Sequence, residues 1–397
     1  VVRPALATAL PLALRFRAGS ASTTFASSLD GRTDATVEDL AEAVYVAGTV
    51  QTAALASGDR AAIAFGSAIA GPAALDIAAR ARAGAARAFG LEDRGDKRAP
   101  RGVFVIGERG LGKEHDGAAL GGTIALWLDA ARPLDDGAKI LIAHETLHEV
   151  FGGVLRVEAE GREATWFSEG FATHYARRLL FDQGLIEAAA FLADVARGDD
   201  ERSEKGTPDD ARAAGYGRGA RYAAQIDAAV RARSRGKHTL DDVIRALTTL
   251  ARKTPEVPLA LRAFRGAVTA EVGEERERAL WDGLAARTPP ELPDDAFGPC
   301  FRRLIETRTV FELGFDAASL RSRPQLIRGT TPGSAAERAG VRDGAMVLKS
   351  SVHAGEKLDP GATVELLLTD PKGKKRVRYK PAQTQKTAVF VPQTCKR

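Results

Sequence analysis

A chain of 397 residues is long for one hydrophobic core and is expected to divide into two or three domains. Hydrophobic residues at 44% and charged residues at 27% read as soluble and globular, with ample core material. The net charge of +5 arises from 57 Lys and Arg against 52 Asp and Glu, interspersed and with no basic stripe carrying aromatics, which argues against a nucleic-acid partner; no apolar run approaches the ~20 residues that span a bilayer.

The opening VVRPALATALPLALRF is apolar, but Pro4 and Pro11 break it and it lacks the organisation of a secretion signal. With no initiator Met, the chain is expected to be a processed product or a piece of a longer one. ALRFRAG (13–19) and AAIAFG (61–66) predict short strands. TVEDLAEAVYVAG (36–48) predicts a helix capped by Thr36, and AALDIAARARAGAARAFG (73–90) predicts another. VFVIG (103–107) and GGTIALWLD (121–129), with a Gly-rich turn between them, predict two strands of one sheet. From 136 to about 287 the pattern is almost wholly helical, and LAARTPPELPDD (284–295) is a Pro-rich linker. Beyond it come strands and turns punctuated by PGS, DPG and DPKGK. The expected class is therefore α+β, with an N-terminal α+β lobe over 1–135, a helical lobe over 136–292 and a small β-rich domain over 300–397. Cys300 and Cys395 bracket that last region. Two readings stand equal: one disulfide fastening the C-terminus in an oxidising compartment, or two unpaired thiols.

The stretch LIAHETLHEVFGG (141–153) carries the chemistry. Asp135 or Asp136 can cap this helix, Ile140, Ala143, Leu147 and Phe151 follow helical spacing, and Gly152–Gly153 ends it. His144 and His148, four apart, share one face and can bind one metal. Glu145 lies about 100° further round, where it reaches a water rather than the metal. A catalytic zinc needs three protein ligands and an open position. A third histidine in the usual extension is absent, since Phe151 and Val154 hold its positions. WFSEGFATHYARRLL (166–180) instead predicts a second amphipathic helix carrying Glu169, with enough chain after His148 to lay the two helices side by side. Glu158, Glu160 and Glu163 compete for the third position, but they fall in the polar loop between the helices. Thr173, one turn on from Glu169, faces the same side and could hydrogen-bond a ligand, whereas His174 points elsewhere and is expected to be a polar surface residue.

HETLH followed by WFSEGFATHYA resembles the gluzincin metallopeptidases, in particular the glycyl aminopeptidase-type family, whose members carry a PDZ domain after the catalytic helices. The resemblance implies a thermolysin-like catalytic domain, with a small mixed sheet lobe and a helical lobe, followed by a PDZ-like domain. It implies one Zn2+ per chain on His144, His148 and Glu169, with Glu145 as general base. GGTIALWLD looks like the edge strand that binds extended peptide there, so that Gly121, Gly122, Thr123 and Ile124 would contact substrate. YGRGARYAAQIDAAVRARSRGKHTLDDVIRAL (216–247) is similar to the helix that supplies a tyrosine to the oxyanion, here Tyr216, with Tyr222 and Tyr175 as fallbacks. ELGFDAASL and the residues to 350 look like a bacterial PDZ domain, with Leu313, Gly314 and Phe315 in its carboxylate-binding loop.

The chain also departs from that pattern. The large N-terminal β-domain is missing or reduced, and an aspartate frequent in the family is Thr173 here. Thr123 and Ile124 stand where an acidic residue often follows the Gly-Gly, which turns the expectation from aminopeptidase action toward endopeptidase action or a specialised substrate. VHAGEKLDPGATVEL leaves little room for the second helix of a PDZ groove. The expected function is a zinc peptidase acting on peptide or protein, periplasmic or secreted. The alternative is a scaffold that has kept a metalloprotease shell and acts through protein binding by its PDZ-like domain.

Overall fold

The computed structural model of the chain describes residues 23–30, 35–37, 39–48, 50–54, 60–64, 71–91, 102–108, 116–120, 123–129, 134–159, 162–201, 208–255, 257–285, 291–353, 356, 358–371 and 373–395. These form two units, Val1–Arg302 with Pro392–Arg397, and Arg303–Val391. The class is mixed α+β. The predicted strand at 13–19 lies outside the described residues.

The first unit opens with β1 (Thr24–Ser27), the short α1 (Asp39–Glu42) and β2 (Tyr45–Gly48), and β1 pairs antiparallel with β2. The helix expected over 36–48 is thus confined to one turn. Val44 and Val46 are buried on either side of the exposed Tyr45, a period of two rather than 3.6, and the pairing with β1 overrides the helical propensity of the alanines and glutamates. Thr36 donates its hydroxyl to Asp39 instead of capping a long helix.

There follow β3 (Val50–Ala54), β4 (Arg60–Ala64), α2 (Gly71–Phe89), β5 (Gly102–Glu108), β6 (Asp116–Leu120) and β7 (Thr123–Asp129). The strands form one five-stranded sheet in the order β3-β4-β5-β7-β6, parallel at β4/β5 and β5/β7 and antiparallel at both ends. The run 121–129 is not the edge strand expected of it. Ile124 is in register with Val103 of β5 on one side and Ala119 of β6 on the other, so β7 is interior. The edge is β6, whose sequence DGAAL reads as part of a Gly-rich turn because its residues are poor strand formers. Ala74, Ala78, Ala81 and Ala85 give α2 its buried stripe.

The helical lobe holds α3 (Asp136–Leu147), α4 (Thr165–Asp182), α5 (Ala188–Glu201), α6 (Pro208–Ser234), α7 (Leu240–Ala251), α8 (Leu261–Val272) and α9 (Glu274–Ala285). A small three-stranded sheet interrupts it: β8 (Val157–Ala159), β9 (Arg162–Glu163) and β10 (Leu259–Ala260). Asp135 caps α3 by accepting from the Ala138 amide at 2.9 Å. Phe151, Phe167, Phe171 and Phe264 build an aromatic core between these helices. The α4–α6 crossing is made by glycines. A Cβ on Gly219 would overlap the carbonyl of Trp166 and stand 2.8 Å from the Cα of Gly170. Arg178 of α4 grips Asp241 of α7 through two hydrogen bonds of 2.7 and 2.9 Å, and the Tyr175 hydroxyl donates to the same carboxylate at 2.9 Å. Cys300 and Cys395 form a disulfide within this unit.

The second unit contains most of β11 (Phe301–Phe311), a 3-10 turn at Ala317–Leu320, α10 (Ala335–Arg338), β12 (Met346–Ser350), β13 (Val364–Asp370), β14 (Gly373–Tyr379) and most of β15 (Ala382–Pro392). Its core gathers Phe315, Ile327, Val341, Val364, Leu366 and Val377. Among the described residues between Ser350 and Val364 there is no helix.

Gly219→Ala would drive its methyl group into backbone atoms that cannot rotate away, forcing α4 and α6 apart. A loss of at least about 2 kcal/mol is expected, the scale of core overpacking, measured by urea unfolding. An unchanged midpoint would show that the helices do not approach this closely.

Candidate metal centre

His144 sits in the last turn of α3, and His148 is the residue at which that helix ends. Glu169 projects from the second turn of α4. The Nε2 atoms of the two histidines are 3.1 Å apart, and each is 3.3 Å from Glu169 Oε2. A tetrahedral zinc with bonds near 2.0–2.1 Å requires donor separations of about 3.3 Å. The three donors therefore have the spacing of a zinc shell. Their protonation chemistry agrees. His148 Nδ1 lies 3.1 Å from the Phe151 carbonyl and His144 Nδ1 lies 3.3 Å from Thr173 Oγ1. An N–H directed at the Phe151 carbonyl leaves the His148 Nε2 lone pair facing inward. Glu169 Oε2 is buried with no hydrogen bond of good geometry. Three lone pairs converging on one point, away from water, are stable around a cation.

Burial alone would raise the Glu169 carboxyl, but the close imidazole nitrogens of His144 and His148 and their charge hold it far below the usual carboxylate range. Burial pulls the His148 imidazole down, and Glu169, the Phe151 carbonyl and Glu145 more than offset it, leaving it raised.

Glu145 is buried on α3 beside these donors. Its carboxyl is raised above the ordinary value, first by burial and then by the charges of Glu169 and Asp116, against the lowering effect of His144 and His148. The carboxylate rests against Gly117 of the edge strand β6, where a Cβ would stand 2.8 Å from its Cγ and 2.9 Å from Oε1. Tyr216, eight residues into α6, stacks on the His144 ring with centroids 5.6 Å apart and planes 25° from parallel. The glycine crossing one turn further along α6 sets that approach.

The other candidates are placed elsewhere. Tyr222 is buried against Trp166 and Phe264, and Tyr175 has committed its hydroxyl to Asp241. His174, expected on the surface, is buried in the helical core with neither ring nitrogen hydrogen-bonded. Burial, then the nearby Arg177, Arg178 and Arg231, lower its pKa well below the ordinary value. Glu158 is exposed on β8, and Glu160 lies outside the described residues. Gly121 and Gly122 also lie outside them, and Thr123 and Ile124 are buried in the interior strand β7. The residue sequence reasoning missed is Gly117, and its only signal was a glycine in an alanine-rich run before the predicted strand. In the second unit, Leu313 and Phe315 are core side chains. The Gly314 amide, at φ 82°, donates to Glu312 Oε1 at 3.0 Å, and the Leu313 carbonyl accepts from the Tyr379 hydroxyl at 2.7 Å.

The fold is similar to that of a solved aminopeptidase N family protein. That protein is from Idiomarina loihiensis, and the likeness has a TM-score of 0.62 at 14% identity over 94% of this chain and 75% of that one. Looser likenesses reach the M1 zinc metallopeptidase of Deinococcus radiodurans, at TM-score 0.44 and 18% identity over 69% of this chain and 63% of that one. Legionella pneumophila aminopeptidase A follows at TM-score 0.40 and 14% identity, over 89% of this chain and 37% of that one. At these identities the likeness concerns the fold. No protein-family model and no curated protein sequence matches the chain.

Equilibrium dialysis against Zn2+ checks the donor set. One ion per chain is expected, and His148→Ala and Glu169→Ala should each lose it while the second unit stays folded. Stoichiometric zinc in either variant would place the ion elsewhere.

Proposed function

We propose that the chain is a zinc-dependent peptidase that hydrolyses peptide bonds, with Glu145 as general base. The observation that supports this most directly is the convergence of His144, His148 and Glu169 beside a second buried carboxylate and a stacked phenol. A zinc ion on the three donors supplies the Lewis acidity that makes water a nucleophile near neutral pH. Glu145 takes the proton of the attacking water and passes it to the leaving amine. Tyr216 donates its hydroxyl to the developing oxyanion. Thr173 orients His144 through Nδ1, and the Phe151 carbonyl does the same for His148. Extended substrate adds to β6, since among the described residues no strand pairs with its outer edge. The disulfide favours a periplasmic or secreted location. The second unit is read as a PDZ-like domain whose loop has its Gly314 amide occupied by Glu312, so it is not expected to capture free peptide carboxylates. The scaffold alternative has no support in the donor set, which lacks none of its members.

Glu145→Gln should retain zinc and lose hydrolysis of a peptide library, because the carboxylate moves protons and binds no metal; comparable turnover would sink the mechanism. Gly117→Ala should also keep zinc and stability, since the atoms nearest its methyl group belong to the Glu145 side chain and not to backbone. Its kcat is expected to fall by roughly 10–100-fold, the cost of misplacing a reacting group by about 1 Å.

Tyr216→Phe should lower kcat by roughly 10²–10³ with little change in KM. Full activity in this variant alongside an inactive Tyr222→Phe would assign the donor to the wrong tyrosine.

A further inference from the structure

The whole chain has a surplus of 5 basic residues, but its two units do not share it. Arg303–Val391 carries 16 Lys and Arg against 9 Asp and Glu, so the rest of the chain is slightly acidic. Alternation along the three-stranded sheet β12-β13-β14 sorts these charges onto one face. Val347, Leu366, Leu368, Val377 and Tyr379 point into the core. The opposite face carries Lys374, Arg376 and Arg378 on β14, in register with Thr369, Leu367 and Glu365 on β13; of these, Thr369 faces Met346 and Leu367 faces Lys349 on β12. Lys349, Lys374, Arg376 and Arg378 are all exposed. Arg378 pairs with Glu365. Among the described residues no carboxylate forms an ion pair with Lys349, Lys374 or Arg376. Between and beside the cations lie Met346 and the bulge residue Leu348, 39% and 43% exposed, with half-buried Leu367 at the centre.

We propose that this outer sheet face is a docking surface for an anionic phospholipid bilayer. Flexible cations around a small apolar centre suit an interface where phosphates meet acyl chains. Each Lys or Arg brought to such a surface favours binding by about 1 kcal/mol, roughly fivefold. No aromatic side chain lies on this face, so it lacks the stacking platforms with which proteins hold single-stranded nucleic acid. A purely protective role for edge-strand lysines needs cations along β14. Such a role also covers Lys349 on β12, the other terminal strand of the sheet, but it does not account for the uncovered Met346 and Leu348. The face is independent of the metal centre, and the proposal holds whether or not the chain is a peptidase.

The test is co-sedimentation of the full chain with vesicles of phosphatidylcholine mixed with phosphatidylglycerol, against pure phosphatidylcholine, at low and high salt. Binding is expected only to the anionic vesicles and should weaken in high salt, as screening requires. Lys349→Gln/Lys374→Gln/Arg376→Gln should lower the partition coefficient roughly a hundredfold, while Lys253→Gln/Arg278→Gln, at exposed sites in the other unit, should leave it unchanged. Met346→Ser/Leu348→Ser, which removes no charge, should weaken binding less. Far-ultraviolet circular dichroism and zinc content should stay at wild-type values in all three. Equal binding to both vesicle types, loss of binding in the control variant, or preference for an oligonucleotide over anionic vesicles at the same salt would each overturn the proposal.

Discussion

The backbone contact between α4 and α6 at Gly170 and Gly219 sets how closely the phenol of Tyr216 approaches the donors of the candidate centre. Packed helices usually hold their axes 8–10 Å apart because side chains separate them. With no Cβ on either partner, the two helices close until backbone meets backbone. Glu169 is the neighbour of one contact residue, and Tyr216 lies one helical turn before the other. The carboxylate that completes the donor set and the phenol that stacks on His144 thus hang from a single crossing. Gly117 applies the same device on the opposite wall, where the absence of a side chain lets the β6 backbone lie against Glu145.

Such a centre concentrates charge in a place with little water, and the surrounding lobe is built to hold it still. Arg82 of α2 pairs with Glu149 at 2.8 Å and ties down the end of α3 next to His148. Arg178 and Tyr175 on α4 converge on Asp241, anchoring that helix on α7 at a point two turns from Glu169. These bonds lie between elements distant in sequence, so they fix helix positions that local propensity leaves open. His174 is kept neutral by its surroundings in the same core. A proton there would add a cation beside Arg177, Arg178 and Arg231, so the folded state loses stability as the pH falls below the ordinary imidazole value.

The second unit distributes its residues by a different rule. Alternation in β13 and β14 sends Val364, Leu366, Leu368, Val377 and Tyr379 inward, and Lys374, Arg376 and Arg378 outward beside the half-buried Leu367. The unit therefore has a core and a charged face from the same three strands.

The order of motifs, the capped helix at 136–147 and the pair His144 and His148 were legible in the linear chain because α-helical spacing is local. Glu169 was nameable too, as an acidic residue on a second helix of the right length after a short loop. The disulfide was one of two equal readings, since pairing depends on where residues 300 and 395 meet in space. Four features were decided only by tertiary structure. Residues 45–48 became a strand because β1 offered a partner, and DGAAL became the edge strand because β7 did. His174 went inside because the face of α4 on which it lies packs against other helices, although the residue type is polar. The 3.3 Å approach of Glu169 to both histidines came from α4 packing beside α3, and Tyr216 reached His144 because two glycines 49 positions apart meet where α4 crosses α6. Periodicity determines which residues share a face of one element. Which faces then meet, and how closely, depends on contacts between distant parts of the chain that no local pattern encodes.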